Sequence, residues 1–325
     1  MMQIALLVYE EVIQSSVSSV IDILMGSNQF LERMGKPPMF NVELVSEKLR
    51  NIQLYAPAQL LCHKTISEVV EADLIIAPAF HGRAEMVLEK NHVLVDWIRK
   101  MHRTGTEVAS LCFGSYFLAE AGLLDGKPCT SHWSVIDDMK QRYPEAEVLA
   151  DMVITEKEGI YTSGGAFSSL NLILYLIEKF SGRETAIWAS KMFSIDLDRV
   201  SQAHFAIFQG QRQHEDEEIL KAQTYIEQHY HLPISIEQIA EQANMSKRNF
   251  IRRFKTATCN TPLEYLQRVK IESAKKALEK NTQNISSLMY NVGYNDIKTF
   301  RNVFKRVTGL TPQDYRRKYC RMEAV

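Results

Sequence analysis

Apolar positions in the first two hundred residues change period again and again. Residues 3–8 form a short unbroken apolar run, the pattern of a strand covered on both faces. In residues 16–34, Val17, Val20, Ile21, Leu24, Phe30, Leu31 and Met34 share one broad helical face. Strands are predicted near 40–46 and 52–55, a short helix over 66–71, and a buried strand at 73–77 (DLIIA). Val93, Leu94, Trp97, Ile98 and Met101 predict a helix over 91–102. A strand over 106–111 meets a sharp junction at Cys112, and a helix over 113–121 ends at Gly122. A helix over 137–142 stops before Pro144. A strand at 160–163, a helix over 168–180 and another over 183–193 complete this part. Strands alternating with helices predict an α/β fold, with a mostly parallel sheet covered by helices on both faces.

The pattern then becomes purely helical. Residues 194–218 read as a linker that ends in an acidic run at 214–218, with the domain boundary near 210–218. A helix over 219–230 turns Ile219, Ala222, Ile226 and Tyr230 inward. Ser235 and Gln238 have the spacing of a capping box for a helix over 236–243. Asn244 suits the left-handed position at its end, and Ser246 caps the next helix. That helix begins a repeat: FIRRFKTATCNTP at 250–262 returns as FRNVFKRVTGLTP at 300–312. Such self-similarity marks one unit built twice. In each copy an apolar helix (Ile236, Ile239, Ala240, Ala243; then Ile285, Leu288, Met289, Val292) leads through a turn into a second, capped helix. This is a helix-turn-helix, and the register makes the second turn one residue longer. Phe250, Phe254 and Ala257, and Phe300, Phe304 and Val307, face inward. A long helix over 263–278 fixes the spacing of the two units.

Charge sharpens this division. The net charge of −1 conceals 19 Lys+Arg against 30 Asp+Glu in residues 1–218, which is −11, and 19 against 9 in 219–325, which is +10. A basic segment beside an acidic one points to a polyanionic partner for the basic segment alone. The five cysteines are dispersed and form no CxxC pair, so no zinc site, disulfide framework or cofactor is expected, and the setting is a reducing cytoplasm. The apolar run at 3–8 is too short for a signal peptide or a membrane span.

Two stretches carry chemistry. In ASLCFGS, Cys112 stands on a strand-to-helix turn at the carboxyl end of a strand, where ligands of parallel sheets bind. The same pattern fits an inert buried thiol. The run Ser110–Trp133 (SLCFGSYFLAEAGLLDGKPCTSHW) resembles the ThiJ/PfpI, class I glutamine amidotransferase-like fold in the version found in regulators. The resemblance covers residues 1–190 and implies that His132 lies near Cys112. It also exposes departures. Hydrolases of this fold carry His directly after the Cys, where Phe113 stands. The position of the acid that bonds the thiol falls near Ser16, with Glu10 and Glu11 nearby. A Gly-Gly pair is replaced by Ala79-Phe80. Catalysis is therefore not expected. The expectation is a pocket for a small ligand or an oxidant, lined by Cys112, His132, Ser16, Phe80, His81 and Phe113.

The second stretch resembles the AraC/XylS-type DNA-binding domain over 219–320, through SIEQIAEQANMSKRNFIRRFK and ISSLMYNVGYNDIKTFRNVFKRVTGLTPQDYR. The resemblance implies base contacts at Arg248, Ile251, Arg252, Lys298 and Asn302, with Ser246, Lys247, Thr299 and Arg301 completing the DNA-facing set. Two departures from its pattern are Met289, in place of a small residue at the helix crossing, and Cys259, where the second copy has Gly309. The domain order expected is a sensory domain over 1–193, a linker over 194–218 and a DNA-binding domain over 219–325, its units at about 235–258 and 285–308. The function expected is a sequence-specific transcription regulator of promoter DNA, dimeric by the habit of the family and controlled by an unidentified effector. The alternatives are a cysteine hydrolase or deglycase tethered to DNA, and a DNA-binding module whose first domain only dimerises.

Overall fold

A computed structural model describes residues 1–48, 51–54, 58–212, 214–280 and 283–320. It divides into two compact units, Met1–Gln202 and Ala203–Val325.

The first unit contains β1 (Met2–Leu7), α1 (Gln14–Arg33), β2 (Phe40–Ser46), β3 (Asn51–Gln53), β4 (Gln59–Leu61), β5 (Lys64–Thr65) and β6 (Leu74–Ala77). It continues with α2 (Ala84–Lys90), α3 (His92–Arg103), β7 (Glu107–Ser110), α4 (Ser115–Glu120), β8 (Pro128–Cys129), α5 (Ile136–Arg142) and β9 (Glu147–Val148). The last elements are β10 (Ile154–Lys157), β11 (Ile160–Ser163), α6 (Leu170–Ser181) and α7 (Arg183–Phe193). Seven strands form the main sheet in the order β10-β11-β7-β6-β1-β2-β5. Every pairing in it is parallel except that of β10 with β11. The α/β fold read from the sequence is therefore present, with an antiparallel strand added at one edge.

The chain runs outward from β1 to β2 and β5, then returns to β6 and runs outward the other way through β7 and β11. Right-handed crossovers then put α1 on one face and α2–α3 on the other. The order reverses between β1 and β6, so the loops after these strands flank the crevice where parallel sheets bind ligands. The central strands are buried on both sides: Leu6, Leu7, Ile75, Ile76, Val108 and Ala109 have essentially no exposed surface.

Two expectations differ from this structure. Residues 66–68 form a turn, not the start of a helix over 66–71. Glu68 accepts from the Thr65 amide at 2.7 Å and from its hydroxyl at 3.0 Å, closing the turn locally, and the β-branched Val69 and Val70 do not propagate it. The strand expected at 52–55 is β3, which pairs antiparallel with β4; residue 55 lies outside the described residues.

The second unit is built from α8 (Glu217–His229), α9 (Ile236–Gln242), α10 (Lys247–Thr258), α11 (Pro262–Lys280), α12 (Ile285–Asn291), α13 (Ile297–Thr308) and α14 (Pro312–Tyr319). The repeat is reproduced bond by bond. Helices α9 and α12 both end with a left-handed residue, Asn244 and Gly293. After each, the next amide reaches back to the helix, Met245 to Ala240 O and Tyr294 to Met289 O. Ser246 and Asp296 cap α10 and α13. The second turn is longer by one residue. Cys259 (φ 55°) ends α10 as Gly309 (φ 72°) ends α13, so the cysteine takes the left-handed form that glycine adopts without strain. Met289 is buried in the second core.

Beyond α10 and α13 the copies still agree. Phe254 meets Tyr265 edge-on at 5.3 Å, and Phe304 meets Tyr315 at 5.6 Å. Each tyrosine hydroxyl donates to a glutamate, Glu227 and Glu279 respectively. There are two cores. Ile219, Ile226, Ile239, Phe250, Phe254 and Tyr265 belong to the first; Ile271, Leu278, Leu288, Phe300, Phe304 and Tyr315 belong to the second. Helix α11 contributes to both.

Replacing Phe254 or Phe304 by alanine is expected to cost about 3–5 kcal/mol, because each ring is fully buried. Urea unfolding reads the loss. A change below about 1 kcal/mol in either variant would show that these rings do not carry the cores.

Candidate functional site

At the end of β7 the chain passes through extended Leu111 into Cys112 at φ 57°, a left-handed conformation that a non-glycine residue adopts at a cost of about 1–3 kcal/mol. The elbow is held from beneath. A Cβ on Gly114 would lie 2.1 Å from Ala77 O, so only glycine fits there. Ser115 Oγ donates to Ser131 Oγ at 2.8 Å, and Ser131 Oγ donates to Cys112 O at 3.1 Å.

The thiol is 3% exposed. Burial pushes it up to about 11, against the opposing pull of the Ala166 and Phe113 amides that face it. Cys112 is therefore a neutral thiol at pH 7. Tyr9, also buried, donates its hydroxyl to Pro78 O at 2.7 Å, and burial raises its pKa well above the usual phenol range.

His132 stacks on Phe113, ring centroids 5.1 Å apart and planes 16° from parallel. Its Nδ1 accepts from the Ser134 amide at 3.1 Å and lies 2.7 Å from Ser134 Oγ. Its hydrogen bonds thus go to Ser134, not to Cys112. Burial pushes the imidazole down to about 4, so it is neutral at pH 7. Phe80 continues the aromatic row, 5.7 Å from Phe113, but it is 2% exposed and also packs on Tyr116 and Phe117. Phe80 is therefore core beneath the site. Ser16 accepts from the Ala79 amide at 2.9 Å. Glu11 pairs with Lys90 at 2.7 Å, and Glu10 is exposed. His81 is an exposed loop residue whose amide donates to Glu11 O at 2.8 Å.

Sequence reasoning overlooked the opposite wall. Gly164, Gly165 and Ala166 follow β11, and Gly165 lies against the His132 ring, where a Cβ would come within 2.0 Å of it. A Gly-Gly pair directly after a buried strand was the available signal. Gln202, which binds this loop, left no local signal at all.

The second candidate site lies on α10 and α13. Arg248, Arg252, Lys298, Thr299, Arg301 and Asn302 are exposed, and Ile251 is half-buried. Arg252 Nη2 donates to Asn249 Oδ1 at 3.0 Å. Exposed Lys247 is tied to Glu237, and exposed Ser246 accepts from the Asn249 amide at 3.4 Å. Thr299 donates its amide to Asp296 at 2.6 Å. Arg253, by contrast, is held by both carboxylate oxygens of Asp216, the cap of α8, at 2.9 and 2.7 Å. The inward faces are spent on packing and the outward faces carry cations. Among the described residues no helix is long and apolar enough to cross a membrane, and no group of three His, Cys, Asp or Glu is placed to hold a metal ion.

An α/β unit with a cysteine elbow and a doubled helix-turn-helix defines a two-part class. The DJ-1/PfpI family profile matches residues 2–179, more than half of the chain, and a helix-turn-helix domain profile matches 239–318. The chain belongs to the DJ-1/PfpI family, and it carries an AraC-type helix-turn-helix domain. It is 26% identical over 224 residues to the HTH-type transcriptional regulator CdhR of Pseudomonas aeruginosa, covering 69% of this chain and 66% of that one. It is 26% identical over 226 residues to the regulator GbdR of the same species, covering 68% and 60%. To the regulator GlxA of Rhizobium meliloti it is 24% identical over 234 residues, 68% of each chain. The chain thus spans less than two thirds of the length of CdhR and of GbdR. Among solved structures, an AraC family transcriptional regulator from Pseudomonas putida superposes with a TM-score of 0.52 at 16% identity, covering 59% of this chain and 100% of that one. Drosophila melanogaster DJ-1beta gives 0.50 at 17%, covering 60% and 100%. At such identities the likeness is one of fold.

The low pKa of His132 makes a pH prediction. An unfolded histidine titrates near 6.5, and the folded one at about 4. The unfolded chain therefore binds the extra proton first. The contribution of the neutral ring to stability is full above about 6.5 and is lost as pH falls toward 4. His132→Phe, which keeps the stack, is expected to flatten the melting temperature between these pH values. An unchanged pH profile would contradict the assignment.

Proposed function

We propose that this protein is a DNA-binding transcription regulator whose helices α10 and α13 enter successive major grooves, and whose Cys112 site regulates rather than catalyses. The observation that carries the reading is the duplicated helix-turn-helix, in which both second helices bury their phenylalanines and present exposed cations. The relatives described above, all transcriptional regulators, support it. Arg248, Arg252, Lys298 and Asn302 read base edges and Ile251 adds an apolar contact, while Ser246, Lys247, Thr299 and Arg301 serve phosphates. Lys247 must leave Glu237 to do so.

Three features argue against catalysis. The thiol is held neutral by burial. The nearest imidazole is neutral and bonded to Ser134. The Ala79 amide, where the fold would build an oxyanion contact, is already given to Ser16. The left-handed Cys112 is the feature an enzyme would share; with its thiol buried and neutral, the site suits control by a small ligand that shifts the loops around it. The regulator acts as a homodimer in the cytoplasm.

Binding of the full chain to duplexes selected from random sequence tests the reading. Affinity is expected to fall steeply with salt. Arg252→Ala is expected to cost about 1–3 kcal/mol at a single base-pair position. Equal loss on all sequences would reassign Arg252 to phosphate, and absence of any selected sequence would overturn the reading.

A further inference from the structure

The two glycines after β11 are packed from both sides. A Cβ on Gly164 would lie 2.8 Å from Gln202 Oε1, and one on Gly165 would lie 2.0 Å from the His132 ring. The Gly165 amide donates to Gln202 Oε1 at 3.0 Å. Gln202 Nε2 donates to Ser131 O at 2.8 Å and to Ala150 O at 3.0 Å, and the backbone amide of Gln202 donates to Asp151 O at 2.9 Å. The residue is 1% exposed. One planar carboxamide therefore joins the two segments that wall Cys112, 130–132 and 164–166. Close packing leaves no room for either to shift without moving it.

Gln202 is also the last residue of the first unit. Residues Ala203–Phe205 make a single 3-10 turn, and the chain is then gripped again. Lys275 donates to Ala206 O, and the Phe208 amide donates to Glu272 at 3.1 Å. Lys275 and Glu272 form a buried pair at 2.8 Å on α11. Phe208 packs edge-on against Tyr265 at 5.0 Å, also on α11. Three residues thus separate a side chain fixed on the Cys112 loops from a carbonyl fixed on the helix shared by both DNA-facing units. At roughly 3.3–3.6 Å per extended residue, three residues set an upper limit on how far the two fixed points can separate.

We propose that Gln202 is the latch of the regulator: a positioning residue that senses the separation of the His132 and Gly165 walls and passes it, through Ala203–Phe208, to α11. The inference rests on the regulatory reading of the Cys112 site. A change at Cys112 that displaces His132 or Ala166 pulls the Gly165 amide or the Ser131 carbonyl away from the carboxamide. The segment that leaves Gln202 then shifts against its second grip.

A double-mutant cycle in the full chain tests the latch. Gly165→Ala is the probe, since its methyl group forces the His132 ring to move; His132→Ala, which empties the same contact, serves if that variant does not fold. The readout is the dissociation constant for the selected duplex, with thermal unfolding as the control for folding. The probe is expected to change affinity by at least about fivefold in the unaltered chain. In Gln202→Met, and in Gln202→Asn, whose amide is too short to bridge, the change is expected to fall below about twofold. A role confined to stability would lower the melting temperature and leave the effect of the probe intact. An equal effect of the probe with and without Gln202 would overturn the latch and leave the regulatory reading standing. No effect of Gly165→Ala, His132→Ala or Cys112→Ala in the unaltered chain would overturn both.

Discussion

The helical unit depends on one element that belongs to two cores at once. Helix α11 gives Tyr265 and Leu266 to the first core and Ile271, Ala274 and Leu278 to the second. It also fixes the second turn directly. Lys270, itself nearly buried, donates its ammonium to Gly293 O at 2.7 Å, at the carboxyl end of α12. Gly293 is the left-handed residue just past the cap of α12, so the contact pins the turn as well as satisfying a charge. Burial lowers the pKa of the lysine, and the bond is what makes the charge tolerable there. With α10 and α13 both packed on α11, the two helix-turn-helix units cannot be reoriented independently without opening a core.

The first unit shows a different economy. Its central strands are sealed, and beyond the carboxyl ends of β7 and β11 Cys112 and Ala166 both take left-handed backbone forms. Such positions persist only where neighbours over-determine them. Here the neighbours are named: Gly114 under the elbow, Ser115 and Ser131 on its carbonyl, and Gln202 across the loops. The same enclosure that protonates the thiol and neutralises His132 ties both to the surrounding backbone.

What was legible in the sequence follows from the range of the forces involved. The doubled unit could be read almost to the residue, because caps, left-handed stops and the spacing of Phe250 and Phe254 are set by neighbours within a turn or two. The alternating sheet was legible for the same reason. The stretch 66–71 was not, because two Thr65–Glu68 hydrogen bonds outweighed a short apolar pattern. Helix α2 was too short to show a period, and α14 follows the repeated Thr-Pro without an apolar stripe of its own. At the site, the elbow, His132 and Phe113 could be placed, but Phe80 proved to be core and Glu11 turned toward Lys90. Gln202 was invisible because its meaning lies in acceptors at Ser131 and Ala150 and a donor at Gly165, brought together only by the fold.

The central claim is geometric: two recognition helices braced by α11 meet one face of a duplex about one helical turn, ~34 Å, apart. It is tested most directly by inserting base pairs between the two half-elements of a selected site and measuring the affinity of the full chain. The account predicts that about five added base pairs, half a turn, abolish specific binding, and that about ten, a full turn, do not restore it, since α11 cannot lengthen. Specific binding that survives the half-turn insertion would mean that the two helices are not held in fixed register, and would contradict the account.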